Sequence, residues 1–343
     1  MNVSTGNTAQ PRGHRCGGRW PWYVLLLVFL VSSRLFFGGA GAAERGRPIR
    51  IGVLTESWGP QPQTVSLRDG LRKLGYREPE DFVIGVRFTQ GDLAALPAAA
   101  RALVQYGVDL IYVTRESAAQ AAKVATTQIP IVFAGVGDPV GLGLVESFAR
   151  PGGNITGVTD LGLDLGPKRL ELFWEIVPGL KRVLFLYDAT DTHAEAEARV
   201  YRDAARRLGI VLVEQAVRTA AEARATLARI RKGEVDGILG PQQVSLNVPG
   251  FILEAATQQG IPTMFGGAFW VEQGVLASYG PDQYETGRQT ARLVDKILKG
   301  ADPAEIPVEV NSKIEFVINL KVAKALGLTI APEVLYQADR LVR

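Results

Sequence analysis

The chain has 343 residues, 47% of them apolar, with a formal net charge of +3, one cysteine and two histidines. That length suits two cores of ordinary size, and because the one cysteine, Cys16, and one of the histidines, His14, lie within the first 43 residues, the rest of the chain has no material for a Cys–His catalytic pair or a multi-histidine metal centre. The net positive excess sits at the start of the chain, which alters what the net charge implies about partners.

Residues 1–43 read as a secretory signal. Arg12, Arg15 and Arg19 precede an apolar run from Trp20 to Phe37, interrupted by Arg34, and a small-residue stretch follows from Gly38 to Ala43. Cleavage after Ala42 and cleavage after Ala43 fit equally well. Arg34 shortens the uninterrupted apolar run to Pro21–Ser33, below the roughly 20 residues of a spanning helix, so an uncleaved anchor is the weaker reading. Cys16 precedes the apolar run, where a lipid-anchor cysteine would follow it. Loss of this segment removes four arginines and no acid, taking the formal balance from +3 to −1. The near-neutral remainder has no basic face for nucleic acid and, lacking cysteine, no disulfides.

From residue 48 onward, strand-like and helix-like runs alternate, the pattern of an α/β protein with parallel sheets. The first series is expected as strand 49–55, helix 64–74, strand 82–89, helix 93–106, strand 109–113 and an alanine-rich helix to residue 127. The stretch from Ile129 to Gly157 then begins as a buried strand at Ile131, Val132 and Phe133. It breaks into a loop carrying Gly135, Gly137, Asp138, Pro139 and Gly141, passes through a short helical run, and ends at Pro151-Gly152-Gly153 before another apolar step. Three close glycines around an acid and a proline indicate a tight turn or backbone lying near a ligand. The strand is expected to close the first sheet, and Gly152–Gly157 to lead the chain across to the second lobe.

The second series is expected as helix 167–177, strand 182–187, helix 192–208, strand 210–214, helix 220–232, strand 235–239, helix 248–259 and strand 262–265. Strand 275–279, helix 284–298 and short helices at 320–326 and 332–336 follow, in a tail that serves both lobes.

Several of these segments match a known family. The stretch I-P-I-V-F-A-G-V-G-D-P-V-G-L-G-L-V-E-S-F-A-R-P-G-G-N-I-T-G is the most specific, supported by L-G-Y at Leu74–Tyr76, K-R-L-E-L at Lys168–Leu172 and Y-G-P at Tyr279–Pro281. I-L-K-G at Ile297–Gly300 and I-N-L-K-V-A-K-A-L-G-L-T-I at Ile318–Ile330 complete the series, in order. The chain resembles the substrate-binding proteins of ABC transporters, in the family that includes members binding tryptophan and other aromatic amino acids. The resemblance implies a type I periplasmic binding protein fold: two Rossmann-like lobes with parallel sheets, a three-strand hinge, and a ligand in the cleft between them. It places lobe 1 at 48–157 with part of 282–306, and lobe 2 at 158–280 with part of 307–343. It also implies a small-molecule ligand such as an amino acid or related carboxylate, a membrane permease as partner, a periplasmic location, a monomer and no cofactor.

Ligands of open α/β sheets sit beyond the carboxyl ends of strands. The loops there supply Glu56, Ser57 and Trp58, then Thr114, Arg115, Glu116 and Ser117, then Gly137 and Asp138, and in the second lobe Asp188, Gln242 with Gln243, Ser245 and Tyr279. Trp58 is either a stacking wall or a rim aromatic packed on its own loop. Thr114 and Ser117 either receive a carboxylate at a helix start or cap that helix. The family commonly has a Gly-Thr-Pro-like run where this chain has Arg115-Glu116, a departure that bears on ligand identity. Asp138 either accepts an ammonium group or forms a turn with Pro139. One of Asp188 and Asp191 is expected to cap the following helix, and His193 to be a solvated surface residue. Gly135-Val136-Gly137 lacks the spacing and position of a dinucleotide fingerprint.

The residues show no catalytic constellation, so an enzyme is not expected. A transcription regulator of the same architecture would carry a DNA-binding head where this chain has an export signal. A ligand-reporting partner of a membrane sensor remains the alternative to a permease partner.

Overall fold

The computed structural model describes residues 46–343 apart from 161, 232 and 243, so the signal segment and Gln243 lie outside the described residues. The first series forms β1 (Ile49–Thr55), α1 (Pro62–Lys73), β2 (Phe82–Phe88), α2 (Leu96–Tyr106), β3 (Leu110–Thr114), α3 (Glu116–Ala125), β4 (Ile131–Val136) and β5 (Ile155–Thr159). The second comprises α4 (Gly166–Ile176), β6 (Arg182–Asp188), α5 (Thr192–Leu208), β7 (Val211–Val217), α6 (Ala220–Arg229), β8 (Gly237–Leu239), α7 (Val248–Gln259), β9 (Thr263–Phe265), α8 (Phe269–Glu272) and β10 (Ala277–Pro281). The tail adds α9 (Gln283–Leu298), β11 (Glu309–Val310), β12 (Ile314–Asn319), α10 (Leu320–Ala325), α11 (Pro332–Gln337) and β13 (Arg340–Val342).

Two sheets result. The first has six strands in the order β11-β5-β4-β3-β1-β2, and the second seven in the order β13-β12-β10-β9-β8-β6-β7. Pairing is parallel throughout except between β10 and β12. The central strands β3 and β4 are buried along their whole length, as continuous apolar runs covered by helices on both faces must be. Each sheet has an apolar cluster on either face. Leu54, Val113 and Phe133 belong to one and Ile51, Tyr112 and Val132 to the other in the first sheet; Phe185 and Leu239, then Leu184 and Ile238, divide likewise in the second.

The expected elements form within a few residues of their expected ends, with four differences. No helix follows Asp138; residues 139–143 are turns, because Pro139 and two glycines leave no helical period. The β4 strand lies inside its sheet, flanked by β5 and then β11, and Gly157 is a residue of β5, so the chain leaves the first sheet after Thr159. The strands β11, β12 and β13 and the single-turn helix α8 are additional. Among the described residues no helix is long and apolar enough to cross a membrane.

The chain passes between the sheets three times: after β5, between β10 and α9, and between β11 and β12. Asn311, fully buried, ties these crossings together. Its N–H donates to Thr159 O (2.8 Å), and its side-chain amide donates to Asp282 O and Thr286 Oγ1 (2.8 Å each). Asp282 N–H donates in turn to Lys313 O (2.8 Å). The returning helix α9 lies tightly along α1. A Cβ at Gly287 would stand 1.9 Å from Ser66 Oγ and 2.2 Å from Gln63 O, so only glycine permits this approach.

Candidate ligand-binding cleft

The carboxyl ends of the two sheets' strands face each other. At the end of β1, Thr114 Oγ1 donates to Thr55 Oγ1 (2.8 Å), which also accepts the Ser57 N–H (3.2 Å). This pinning leaves Glu56 only 1% exposed. Glu56 O accepts the Gly91 N–H (2.7 Å), and Gly91 O accepts the N–H of Leu246 (3.3 Å), a main-chain bridge from a loop of the first sheet to the 3₁₀ turn Ser245–Asn247 beside the second. The sheets' loops are therefore in direct contact here.

Behind that bridge the cleft is lined with charge. From the first sheet come Glu56, Arg115, Glu116 and Asp160. Arg115 has φ 73° and ψ 172°, a region almost reserved for glycine, and such strain of about 1–3 kcal/mol is characteristic of residues held for a purpose at a site. Glu116 Oε1 accepts the Gly137 N–H (3.0 Å), and Asp160 Oδ1 accepts that of Gly162 (3.1 Å). From the second sheet come Arg169, Asp188, Asp191, His193 and Glu197. Arg169 is fully buried. It donates from Nε to Tyr279 O (2.7 Å) and from the guanidinium to Tyr201 Oη (2.5 Å) and Gly162 O (3.4 Å), and it lies 3.9 Å from Glu197 Oε1. It thereby links the first two crossings.

Burial decides the electrostatics. It pushes the carboxyl of Glu56 up to about 7, against the charge of Arg115, with Glu116 and Asp191 adding to the rise. It pushes Glu197 up to about 7 against Arg169 and Arg115. Asp160 is raised by burial and then by Glu116. His193 is raised by its hydrogen bond to Asp191, with burial opposing and the carboxylates of Glu116 and Glu56 adding to the effect. Between the sheets lies a cavity of about 20 Å³, large enough for a single water, lined by Arg115, Asp160, Arg169, Gln242, Gly266 and Trp270 among others. Several polar atoms nearby are buried without a hydrogen-bond partner: Glu56 Oε2, Asp188 Oδ2, Asp191 Oδ2, His193 Nε2, Glu197 Oε1 and Gln242 Nε2. Among the described residues no three His, Cys, Asp or Glu side chains converge to hold a metal ion.

The structure brings some of the sequence candidates together and disperses others. Arg115 and Gln242 line the cavity between the sheets, while Glu116 and Asp188 are buried at the carboxyl ends of β3 and β6. Gln242 donates its N–H to Glu197 Oε2 (3.0 Å), and Asp188 Oδ1 accepts from Thr190 N–H and Oγ1 (2.8 and 2.7 Å). Thr114 is buried beneath the loop and bonded to Thr55, and helix α3 has no side-chain cap, so Thr114 does not cap it. Ser57 is buried, with its hydroxyl on Gly59 O (2.8 Å); Trp58 stands at the rim, 53% exposed, with its indole nitrogen beside Gly91. Ser245 is buried in the bridging 3₁₀ turn. Ser117 lies instead in a groove between α2 and α3, beside Leu93, Pro97 and Val124. Asp138 is exposed, its Oδ1 accepting the Gly141 N–H (2.7 Å) in the turn. Tyr279 contributes its carbonyl to Arg169, while its ring packs edge-on to Phe316 (6.2 Å).

His193 departs from expectation. It is not a solvated surface residue: its ring is 18% exposed, with Nδ1 3.1 Å from Asp191 Oδ1, and it faces the cleft charges. Asp191 is the N-cap of α5. Arg169, Asp160, Glu197 and Trp270 were absent from the sequence candidates, and Glu56 was named only by its place in the loop after the first strand. The only sequence signal for Arg169 was its place in K-R-L-E-L.

The chain matches the family profile described as ABC transporter substrate binding protein over residues 53–342. It is 29% identical over 260 residues to a tyrosine-binding protein of Clostridioides difficile, covering 75% of this chain and 74% of that one. Among solved structures, an ABC domain from Streptococcus pneumoniae in complex with L-Trp is 28% identical, with a TM-score of 0.74, over 86% of this chain and 100% of that one. The ligand-free, open form of a substrate-binding protein with adhesive properties from Clostridium difficile is 25% identical, with a TM-score of 0.57, over 86% of this chain and 99% of that one. By the extent of the profile match, this chain belongs to the ABC transporter substrate-binding protein family.

Proposed function

We propose that this protein captures an amino acid in the cleft between its two lobes and delivers it to an ABC permease on the outer side of the membrane. The observation that carries this reading is the charge pattern of the cleft. Two guanidinium groups, Arg115 and Arg169, border one cavity together with the carboxylate of Asp160. Opposite charges in one enclosed space complement a zwitterion better than a sugar, whose hydroxyls would leave the charges uncompensated. Trp270 at the cavity, and the tryptophan and tyrosine bound by relatives, favour an aromatic side chain.

Capture would work by closure. Each lobe supplies part of the charge pattern, so the ligand's contacts favour the closed arrangement and bias an equilibrium about the three crossings. The contact of Gly91 with Leu246, and the better superposition on a complex than on an open form, support a closed conformation for the structure described. The lobe limits proposed are those of the sequence reading, adjusted so that β5 through Thr159 and β11 stay with the first sheet. A signal removed on export, a periplasmic location and a monomer complete the proposal.

Thermal-shift screening of the exported form against the twenty amino acids, nucleosides and sugars tests it. Stabilisation by aromatic amino acids is the expected outcome. Stabilisation by sugars or nucleosides alone refutes the reading.

A further inference from the structure

We propose that the flank of the first lobe, outside the cleft, carries a second ligand site: a groove floored by Gly52 and Gly85 that takes a small amphipathic acid, with Arg50 on its carboxylate.

The pairing of β1 with β2 builds the floor. The strands run parallel and in register, with Arg50 opposite Val83, Gly52 opposite Gly85 and Leu54 opposite Arg87. Alternate residues of a strand share a face, so Arg50, Gly52, Gly85 and Arg87 all stand on one side of the sheet. Helix α2 covers that side over β1, where a Cβ at Gly52 would stand 3.0 Å from Leu103 of α2 and from Val108 just beyond it. Over β2, the last strand of the sheet, the cover gives out: a Cβ at Gly85 would meet nothing within 4 Å. What remains is a cavity of about 350 Å³, lined by Arg50, Gly52, Gly85, Arg87, Leu103 and Tyr106 among others. That size lies within the range of small-molecule sites.

The two glycines have different reasons for being there. Gly52 makes room for α2. Gly85 makes room for no protein atom, and it is not among the glycines with positive φ, so the fold would accept a side chain in its place. It is the central residue of β2, where glycine costs stability and commonly marks the close approach of a ligand. What Gly85 preserves is the open floor of the groove.

Charge selects the occupant. No acid lines the groove. Arg50 is half-buried, and its guanidinium has the Tyr106 ring at 5.4 Å and, through a long bond of 3.5 Å, Tyr106 O; neither is an anion. Asp109 accepts the Arg50 N–H (2.8 Å), but both its oxygens hold the guanidinium of Arg47 (2.8 Å each). Among the described residues neither Arg50 nor Arg87 has a carboxylate partner. A second copy of the chain paired along β2 would bring its own two arginines, so charge complementarity favours an anion over a copy. The guanidinium fork of Arg50 suits a carboxylate held by two parallel bonds. An apolar body then lies on bare backbone against Leu103 and Val108. Arg87 stands about 14 Å from Arg50, four residues along and one strand across, so the groove suits an elongated ligand and Arg87 adds attraction at its far end.

The test uses three probes with one body: 4-phenylbutyrate, 4-phenylbutan-1-ol and 4-phenylbutylamine. Binding is read by calorimetry and by NMR of the exported form labelled with nitrogen-15 glycine. The acid should bind and shift the amide signals of Gly52 and Gly85, with the alcohol and the amine weaker by about tenfold or more. Gly85→Val should fill the floor and weaken the acid by about tenfold or more, with an unfolding midpoint in urea equal to or above that of the native protein, since valine suits a strand. Arg50→Gln should weaken the acid by a similar factor, and Arg87→Gln by less and only at low salt. The proposal is overturned if the acid does not bind, if the three probes bind alike, or if Gly85→Val binds the acid unchanged. Shifts confined to Gly266 and Gly267, which line the cavity between the sheets, would place the acid in the cleft and overturn it too. So would a destabilised Gly85→Val, because the glycine would then serve the fold.

Discussion

Replacing Arg169 by methionine tests how the buried charges are held. The guanidinium is fully buried, and its neighbours are Tyr279 O, Tyr201 Oη, Gly162 O and, at 3.9 Å, Glu197 Oε1. Methionine fills much of the volume but supplies no donor. Two carbonyls and a tyrosine hydroxyl then lose a partner, and Glu197, 2% exposed, is left as an uncompensated buried acid. Removal of one member of a buried pair costs about 3–5 kcal/mol, mostly through the charge left behind. That origin makes the cost depend on pH. Glu197 titrates near 7 with Arg169 present, so without it the carboxyl is neutral over a wider range, and the loss should be larger at pH 8.5 than at pH 6. Adding Glu197→Gln removes the stranded acid while keeping an acceptor for the Gln242 N–H, and should recover about 2 kcal/mol of the loss. Urea denaturation at both pH values measures all four proteins of the cycle. A single-variant cost under about 1 kcal/mol, or a double variant no more stable than the single, would refute the view that Arg169 neutralises Glu197.

The ligand-free protein should lose stability as pH rises from about 4.5 to about 7. Glu56 and Glu197 hold protons in the folded state that the unfolded chain has released, so their contribution is complete below the unfolded value and lost through the folded one. The slope is about 1.4 kcal/mol per pH unit for each group at most; a melting temperature that climbs over this range would contradict it. Gly287→Ala should cost about 1–3 kcal/mol, because its methyl group meets Ser66 Oγ and Gln63 O, and hydrogen exchange should rise in α9. Unchanged exchange there would mean that α9 holds the first lobe by other contacts.

The fold was legible because its signals are local. Helices α5 and α7 have the limits expected from sequence, since Asp191 marks one start and Gly209 and Gly260 stop the two at left-handed φ. The tail was harder to read. The strand β11 has two residues, and β12 is followed without a break by α10, so neither shows a clean period of its own. Loop position correctly drew attention to the carboxyl ends of the strands, yet it could not distinguish Ser117, in a surface groove, from Glu116, one residue earlier and in the cleft. On a helix, neighbouring residues point about 100° apart, and the sequence does not say which direction the other lobe occupies.

The same limit explains Arg169, Glu197 and His193. Each sits on a helix of mixed polarity, and each is defined by a partner far along the chain: Tyr279 for Arg169, Gln242 for Glu197, and the first-sheet acids for His193. A buried charge and a surface charge look alike in a helical pattern until the second sheet is placed against the first. What the sequence did carry was the departure at Arg115-Glu116. A side chain other than glycine at φ 73°, ψ 172° costs stability, and the residue found there places a cation beside Asp160 and Glu56. Strain, charge and burial thus coincide at one turn. That coincidence makes Arg115 a better indicator of this protein's own ligand than the glycine-rich stretch it shares with its family, whose acid at Asp138 is spent on a surface turn.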